Sequence, residues 1–317
     1  MNNSDNISIC IPSYERTKYL KRLLDSIEIQ TFKNFEIIIT DDSISDNNKK
    51  LVESYSNLNI NYFQNKVSLG SPKNWNYAIS KASYSWIKIM HDDDFFRDQY
   101  SLEYFANSIN KNKEVNFIFS SHLMIDENNN KLKRVDLNLF EIFILRKTRS
   151  ILFHKNYIGH PSCVMFKKYA QVEFDNTFKW VVDIEFYYRY LNKHNQLYFI
   201  KDALVVISNN DTQITKNVFR NKDVEIPENH LLINKIGERK LNNIIIFDYY
   251  WRLYRNLHID NDKIIENYGI TCPATLVQMI KFQKNIHRKL LNNGLISKAA
   301  MIVCYFYTAD KRKNAKN

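Results

Sequence analysis

Three consecutive carboxylates, Asp92-Asp93-Asp94, close the run Ile87-Lys88-Ile89-Met90-His91 and lead into Phe95-Phe96. Adjacent carboxylates repel one another, so they cannot all be buried and ionised without a counter-charge. A divalent cation is the economical one. Hard oxygen ligands favour Mg²⁺ or Mn²⁺, and such ions commonly hold a phosphate as well. An isolated triplet has a plainer reading, a solvated acidic turn. A second acidic pair, Asp41-Asp42, ends another apolar run, residues 35–40.

The elements around these carboxylates have a regular order. Residues 7–12, 35–40, 60–63 and 86–90 are short apolar or alternating runs, which read as strands. Between them, Leu20, Leu23, Leu24 and Ile27 recur at helical spacing. Helices are also expected over 46–55, with Asp46 as cap, and over 72–82, with Pro72 in the first turn. The alternation predicts an α/β fold: a Rossmann-like, mostly parallel sheet with helices on both faces. Ligands of such sheets bind at the carboxyl ends of the strands. Both acidic ends would open on that edge, the arrangement of a nucleotide site with a metal.

Further along, the pattern predicts a helix over 102–109, a strand over 116–120, a polar hairpin over 126–133 and a partly helical stretch over 137–153. A loop and strand follow over 159–166, then a helix that opens near Asp183 and two short strands within 197–207. From residue 231 onward the pattern turns helical, over 241–257, 275–289 and 295–307.

Composition bounds the class. The chain has 317 residues, of which 44% are hydrophobic, and only five Gly and five Pro. That suits one large domain, or one domain with an appendage, and no low-complexity linker. Cys10, Cys163, Cys272 and Cys304 are far apart, which argues against a zinc site or a disulfide framework and for a reducing cytoplasm. The polar start MNNSDN is not a signal peptide, and no run is long enough to span a membrane. The net charge is +11, and from Trp251 onward twelve Lys and Arg stand against four Asp and Glu. A basic balance points to nucleic acid, an anionic membrane or a phosphorylated substrate.

In order and spacing, these segments resemble family-2 glycosyltransferases with the glycosyltransferase A-type fold. The resemblance covers residues 7–215. Ile9 to Arg16 is similar to the family's opening strand and turn. Gln30-Thr31-Phe32 and the run into Asp41-Asp42-Ser43 are similar to its second strand, and Gly70 to Asn76 to the segment after the third. His91-Asp92-Asp93-Asp94 stands where the family has Asp-x-Asp-Asp, and Trp180 to Arg189 resembles its Glu-Asp helix. The resemblance implies a catalytic domain over 1–217, with a nucleotide-binding half 1–98 and an acceptor half 99–217, and a C-terminal helical region over 218–317.

It also implies roles. Pro12, Tyr14 and Arg16 lie beside the base and ribose, with Lys73 standing in for an Arg where this chain has Trp75. Asp42 accepts from the imide of a uracil or thymine, Asp92 contacts ribose or metal, and Asp93 is the main ligand of Mn²⁺ or Mg²⁺. Asp94 holds metal-bound water or donor sugar, and Asp183 is the general base, ahead of Glu185. The implied reaction is inverting transfer from a nucleoside diphosphate sugar, UDP-sugar favoured, to a hydroxyl of a glycan acceptor, lipid-linked, in surface polysaccharide synthesis. The compartment would be the cytoplasm, with the basic C-terminal helices (Lys281, Lys284, Arg288, Lys289, Lys298) lying on the anionic inner face of the cell membrane.

Departures from the family's pattern are visible. His91 replaces the first Asp of the metal motif, with a neutral structural role favoured over a ligand. Val182 replaces a Glu, and Asn210, opening 210–215, replaces a His. Trp180 and Tyr187 are either an acceptor platform or core, and His160-Pro161-Ser162 either touches the donor sugar or is a plain loop. Two rivals are a non-catalytic sugar-nucleotide binder and a metal-dependent nucleotidyltransferase. The latter would want a Gly-rich loop where this chain has Pro12 to Arg16. Acidic strand ends and the lack of a binding motif argue against nucleic acid.

Overall fold

The computed structural model describes residues 6–111, 114–170, 172–210 and 218–314. Contacts divide the chain into two compact units, residues 1–149 with 157–213, and residues 150–156 with 214–317.

The first unit is built on one sheet of nine strands. These are β1 (Ile7–Ser13), β2 (Phe35–Asp41), β3 (Ile60–Gln64), β4 (Trp86–Ile89), β5 (Phe95–Phe96), β6 (Phe117–Asp126), β7 (Lys131–Val135), β8 (Val164–Lys167) and β9 (Leu197–Asn209). Their order is β3-β2-β1-β4-β8-β6-β9-β5, with β7 paired to β6. The pairs β3–β2, β2–β1 and β1–β4 are parallel. Beyond β4 the sheet is mixed: β8 runs antiparallel to β4 and β6, and β6 pairs in parallel with β9. The fold is the expected α/β class, parallel where the βα units alternate and mixed beyond.

Helices α1 (Thr17–Glu28), α2 (Asn47–Glu53), α3 (Lys73–Lys81) and α4 (Ser101–Lys111) cover the parallel part. Alternate residues of a strand face opposite sides. Ile7, Ile9, Ile11, Ile37 and Ile39 join Leu20, Leu23, Leu24 and Ile27 of α1 and Leu102 and Phe105 of α4 in one core. At the other parity, Thr40 Oγ1 donates to the Asn74 carbonyl of α3 at 3.0 Å. The apolar register therefore fixes which way every residue at the strand ends points.

Several sequence expectations shift in detail. Residues 197–207 belong to one long strand, β9, with register shifts opposite Ser120 and Ser121 of β6, so a bulge breaks the alternation that suggested two strands. Asp46 precedes α2 but its side chain makes no capping bond. The 126–133 hairpin forms, turning at Asn130 with φ +55°. The stretch 137–153 is α5 (Leu139–Lys147), capped by Asn138 and Glu141, and then a 3₁₀ turn. The helix expected to open near Asp183 is α6 (Val182–Lys193).

The second unit is helical: α7 (Lys222–Ile236), α8 (Ile244–Leu257), α9 (Lys263–Glu266), α10 (Ala274–Lys284), α11 (Arg288–Asn292) and α12 (Gly294–Asn314). Trp251, Tyr250 and Tyr254 of α8 are fully buried in it. The expected 275–289 helix breaks after Lys284 and resumes at Arg288. No helix among the described residues is long and apolar enough to cross a membrane.

Candidate active site

The carboxyl ends of β1, β2 and β4 meet, as the parallel register requires. Asp92 ties β4 to β1: its Oδ2 accepts from Ser13 Oγ at 3.0 Å and from the Tyr14 amide at 3.1 Å. The Asp42 amide in turn donates to the Ser13 carbonyl at 3.0 Å, so the β2 end joins the same edge. Arg16, just past the β1 turn, places Nη1 2.9 Å from Asp93 and 3.5 Å from Asp92. Its guanidinium therefore lies on the carboxylates of the triplet.

All three members of the triplet are buried. Burial and the charge of Asp93 push Asp92 up to about 7, with Arg16 opposing. The same two causes hold Asp94 well above the usual carboxylate range. Such shifts mark a site that lacks positive charge. Asp93 accepts from Arg16 and, at 3.2 Å, from Asn210 Nδ2. Asn210, which stands where the family has a His, thus reaches the main expected ligand. Asp211 to Thr215, the rest of that loop, lie outside the described residues.

His91 belongs to this group rather than apart from it. One ligand atom each of His91, Asp93 and Asp94 lie within 4.8 Å of one another, the one such His/Cys/Asp/Glu group among the described residues. Its imidazole leans on Trp75, ring centroids 4.7 Å apart, and its amide donates to Ser162 Oγ at 2.9 Å. Burial pushes the imidazole down to about 4, so it is neutral at neutral pH. Nε2 is buried and has no hydrogen-bond partner among the described residues. A buried imidazole that reaches two carboxylates and leaves one nitrogen without a hydrogen bond fits a divalent cation.

Asp42 is held by the β3–α3 loop. Its carboxylate accepts from Asn65 Nδ2 at 2.7 Å and from the amides of Leu69 and Gly70 at 2.9 and 2.8 Å. Gly70 adopts φ +69°, a left-handed turn that a side chain would strain. A carboxylate offers about four acceptor positions, so three are used and one remains. Pro12 is buried within β1, Tyr14 is exposed, and Lys73 is exposed at the start of α3.

Asp183 and Glu185 share the first turn of α6 but not their surroundings. Glu185 is buried and forms a two-pronged pair with Arg189, at 2.7 and 3.1 Å. Asp183 is half-buried, with Oδ1 accepting from the Ile184 amide at 2.8 Å. Tyr187, weighed as a sugar platform, is fully buried against Phe117 and is core. Its hydroxyl donates to the Gly159 carbonyl at 3.2 Å, which fastens α6 to the loop carrying His160 and Ser162.

Arg22 and Lys88 have no role in the sequence analysis, and Ser162 appears there only as a donor-sugar contact or plain loop. Arg22 of α1 sends Nη2 to the Asp93 carbonyl at 2.8 Å and to Ser208 Oγ at 2.6 Å. Its Nη1 pairs with Glu127 at 2.8 Å, and its guanidinium lies 4.3 Å from the Phe95 ring centre. Ser162 joins the His91 amide, the Asp94 side chain and, through its carbonyl, Lys88 Nζ. Lys88 is fully buried in β4, and burial pushes its amine down to about 7. A lone Lys inside an apolar strand run was the one available signal.

The α/β sheet thus brings two acidic strand ends, a His–Asp–Asp group that could hold a cation and a neighbouring Arg to one edge. Residues 8–173, more than half the chain, match glycosyl transferase family 2, and the chain belongs to that family. An uncharacterized glycosyltransferase of Rickettsia typhi is 27% identical over 223 residues, 66% of this chain and 65% of that protein. The match thus spans less than two thirds of that relative's length. Among solved structures, Staphylococcus aureus TarS 1-349 in complex with UDP-GlcNAc has a TM-score of 0.64 at 17% identity, covering 98% of this chain and 92% of that one. A mannosyltransferase from Pyrobaculum calidifontis in complex with GDP-Man and Mn²⁺ has a TM-score of 0.54 at 13% identity, covering 98% and 88%. Both share the fold, including its C-terminal helices.

Proposed function

We propose that the chain is an inverting, metal-dependent glycosyltransferase. It moves a sugar from a nucleoside diphosphate donor, with uridine favoured, to a hydroxyl of a lipid-linked glycan in surface polysaccharide synthesis. The observation that carries this reading is the bonded strand edge itself, where Ser13, Tyr14, Arg16, Asp92, Asp93 and Asn210 form one network beside Asp42. The UDP-GlcNAc and GDP-Man/Mn²⁺ complexes of the two structural neighbours support a nucleotide-sugar donor and a divalent cation.

The roles follow from chemistry. The one acceptor position left on Asp42 takes the imide N–H of uracil. A base edge offering only acceptors would be repelled there. Exposed Tyr14 flanks the base, with buried Pro12 of β1 close by, Asp92 accepts from ribose, and Lys73 stands by the phosphates. Asp93, with Asp94 beside it, would hold Mn²⁺ or Mg²⁺, and the ion's charge would stabilise a departing diphosphate. Arg16 carries a full positive charge and turns from Asp93 to the diphosphate as the leaving group develops charge. Asp183 takes the acceptor hydroxyl proton as its oxygen attacks the face opposite the diphosphate. Glu185 is excluded from that role because Arg189 occupies both of its oxygens.

The acceptor's lipid is inferred from the second unit. From Ala274 to the end the sequence carries nine Lys and Arg and one Asp. Lys281, Lys284 and Lys289 are exposed, as are Leu295, Ile302, Val303 and Phe306 along α12. A second copy seated there would oppose like charges, whereas an anionic bilayer accepts both the charge and the apolar side chains. Arg288 and Lys298 serve inside the unit, donating to the Arg255 carbonyl and pairing with Asp248 at 2.8 Å.

Release of UDP from UDP-sugars with Mn²⁺ present, with and without a lipid-linked glycan, tests the reading. Asp93→Ala is expected to abolish turnover. Asp183→Asn should lower kcat by about a hundredfold or more while sparing UDP affinity. Glu185→Gln should lower thermal stability instead. Full activity in Asp93→Ala would contradict the assignment.

A further inference from the structure

We infer that His91 is itself a ligand of the donor-site cation through an imidazole nitrogen, giving this chain a His–Asp–Asp site that prefers Mn²⁺ or Co²⁺ to Mg²⁺. The inference rests on the reading above and concerns which side chains hold the ion and which ion they select.

Geometry comes first. The three ligand atoms of His91, Asp93 and Asp94 are mutually within 4.8 Å. Opposite ligands of a six-coordinate divalent ion stand about 4–5 Å apart, so one ion can touch all three with little adjustment. The imidazole is also held in place. Trp75 supports its face and Ser162 fixes its backbone amide. Trp75 is in turn braced edge-on by Phe174, at 5.2 Å.

The second argument is the orphaned nitrogen. A purely structural histidine in a polar cluster would use Nε2 for a hydrogen bond, and leaving it buried without one costs about 1–3 kcal/mol. His91 Nε2 has no hydrogen-bond partner among the described residues, and one nitrogen of the same ring lies within 4.8 Å of carboxylate oxygens of Asp93 and Asp94. A metal bond to the ring supplies a partner that the fold does not.

Selectivity then follows from ligand type. Mg²⁺ strongly prefers oxygen and gives up water reluctantly, whereas imidazole suits the later first-row ions. An Asp at this position, as in the family's pattern, would give three carboxylates and favour a hard ion. The His removes one negative charge and supplies one nitrogen. The other departure, Asn210, donates to Asp93 and adds no negative charge to the site.

The experiment is pulsed electron paramagnetic resonance of Mn²⁺ bound to the full chain with UDP, paired with Mn²⁺ and Mg²⁺ titrations followed by the free Mn²⁺ signal. The wild type should show ¹⁴N modulation from a directly bound imidazole. His91→Gln should lose that modulation and bind Mn²⁺ about tenfold or more weakly. His91→Asp should also lose the modulation and yet bind Mg²⁺ relatively better than the wild type does. Mn²⁺–UDP bound by the wild type without ¹⁴N modulation, or with unchanged affinity in His91→Gln, overturns the ligand role and leaves the transferase reading standing. No Mn²⁺–UDP binding by the wild type overturns both. An imidazole that bonds a donor-sugar hydroxyl instead would show no modulation with Mn²⁺–UDP but tighter binding of UDP-sugar than of UDP, lost in His91→Gln, and that pattern also overturns the inference.

Discussion

At the scale of single residues, the candidate site is a balance of buried charges. Asp92 and Asp94 are pushed up by burial and by Asp93, while Lys88 beneath them is pushed down to about 7 by burial. The Lys88 shift has a definite consequence. Its amine holds a proton up to about pH 10.4 in an unfolded chain, but only to about 7 when folded. Between those values the unfolded state binds more protons, so stability contributed by this group rises with pH. Urea unfolding midpoints of the wild type should therefore climb between about pH 7 and 9 relative to those of Lys88→Met. Parallel pH profiles for the two proteins would contradict a buried, shifted lysine. The carboxylates and the Asp183 helix were legible in the sequence because their types, spacing and strand-end positions are local features. Ser162 and Lys88 were not, since their partnership joins β4 to a loop 74 residues away.

At the scale of elements, α1 does more than cover the sheet. Its apolar face gave it away as a helix, yet Arg22 on the other face bonds the Asp93 carbonyl, Ser208 and Glu127, so it holds the β4–β5 turn against the end of β9. Loss of that clamp should leave buried acceptors short of partners, at about 1–3 kcal/mol. Arg22→Met is expected to lower Tm by several degrees and to weaken Mn²⁺–UDP binding. A variant with wild-type Tm and affinity would show the clamp to be dispensable. Periodicity also explains what was misread. β9 looked like two strands because its bulge interrupts the alternation, and a bulge has no sequence mark here beyond the break itself. The break between α10 and α11 carries neither Gly nor Pro at residues 285–287, so nothing in residue type announced it.

At the scale of the whole molecule, the alternation of residues 7–94 was enough to give the α/β class and the edge on which both acidic ends open. The mixed half of the sheet was less legible, because antiparallel β8 inserts between β4 and β6 through contacts distant in sequence. The C-terminal unit shows its helices and its charge in sequence, but not which basic side chains remain outward. Lys281, Lys284 and Lys289 do, and their replacement by Glu should reduce co-sedimentation with phosphatidylglycerol-containing vesicles severalfold, with no change on neutral phosphatidylcholine vesicles. Equal binding by wild type and triple variant would remove the membrane from the account.

The central claim is that one strand edge binds a nucleoside diphosphate through a divalent cation. Titration calorimetry with UDP, dTDP, GDP and CDP, each with and without Mn²⁺, tests it most directly. UDP is expected to bind most tightly and only with the metal, with binding lost in Asp93→Ala and weakened about tenfold or more in Asp42→Ala, the cost of about one hydrogen bond to a charged group. No heat from any nucleotide in the presence of Mn²⁺ would contradict it, and would return Asp92-Asp93-Asp94 to the status of an acidic turn.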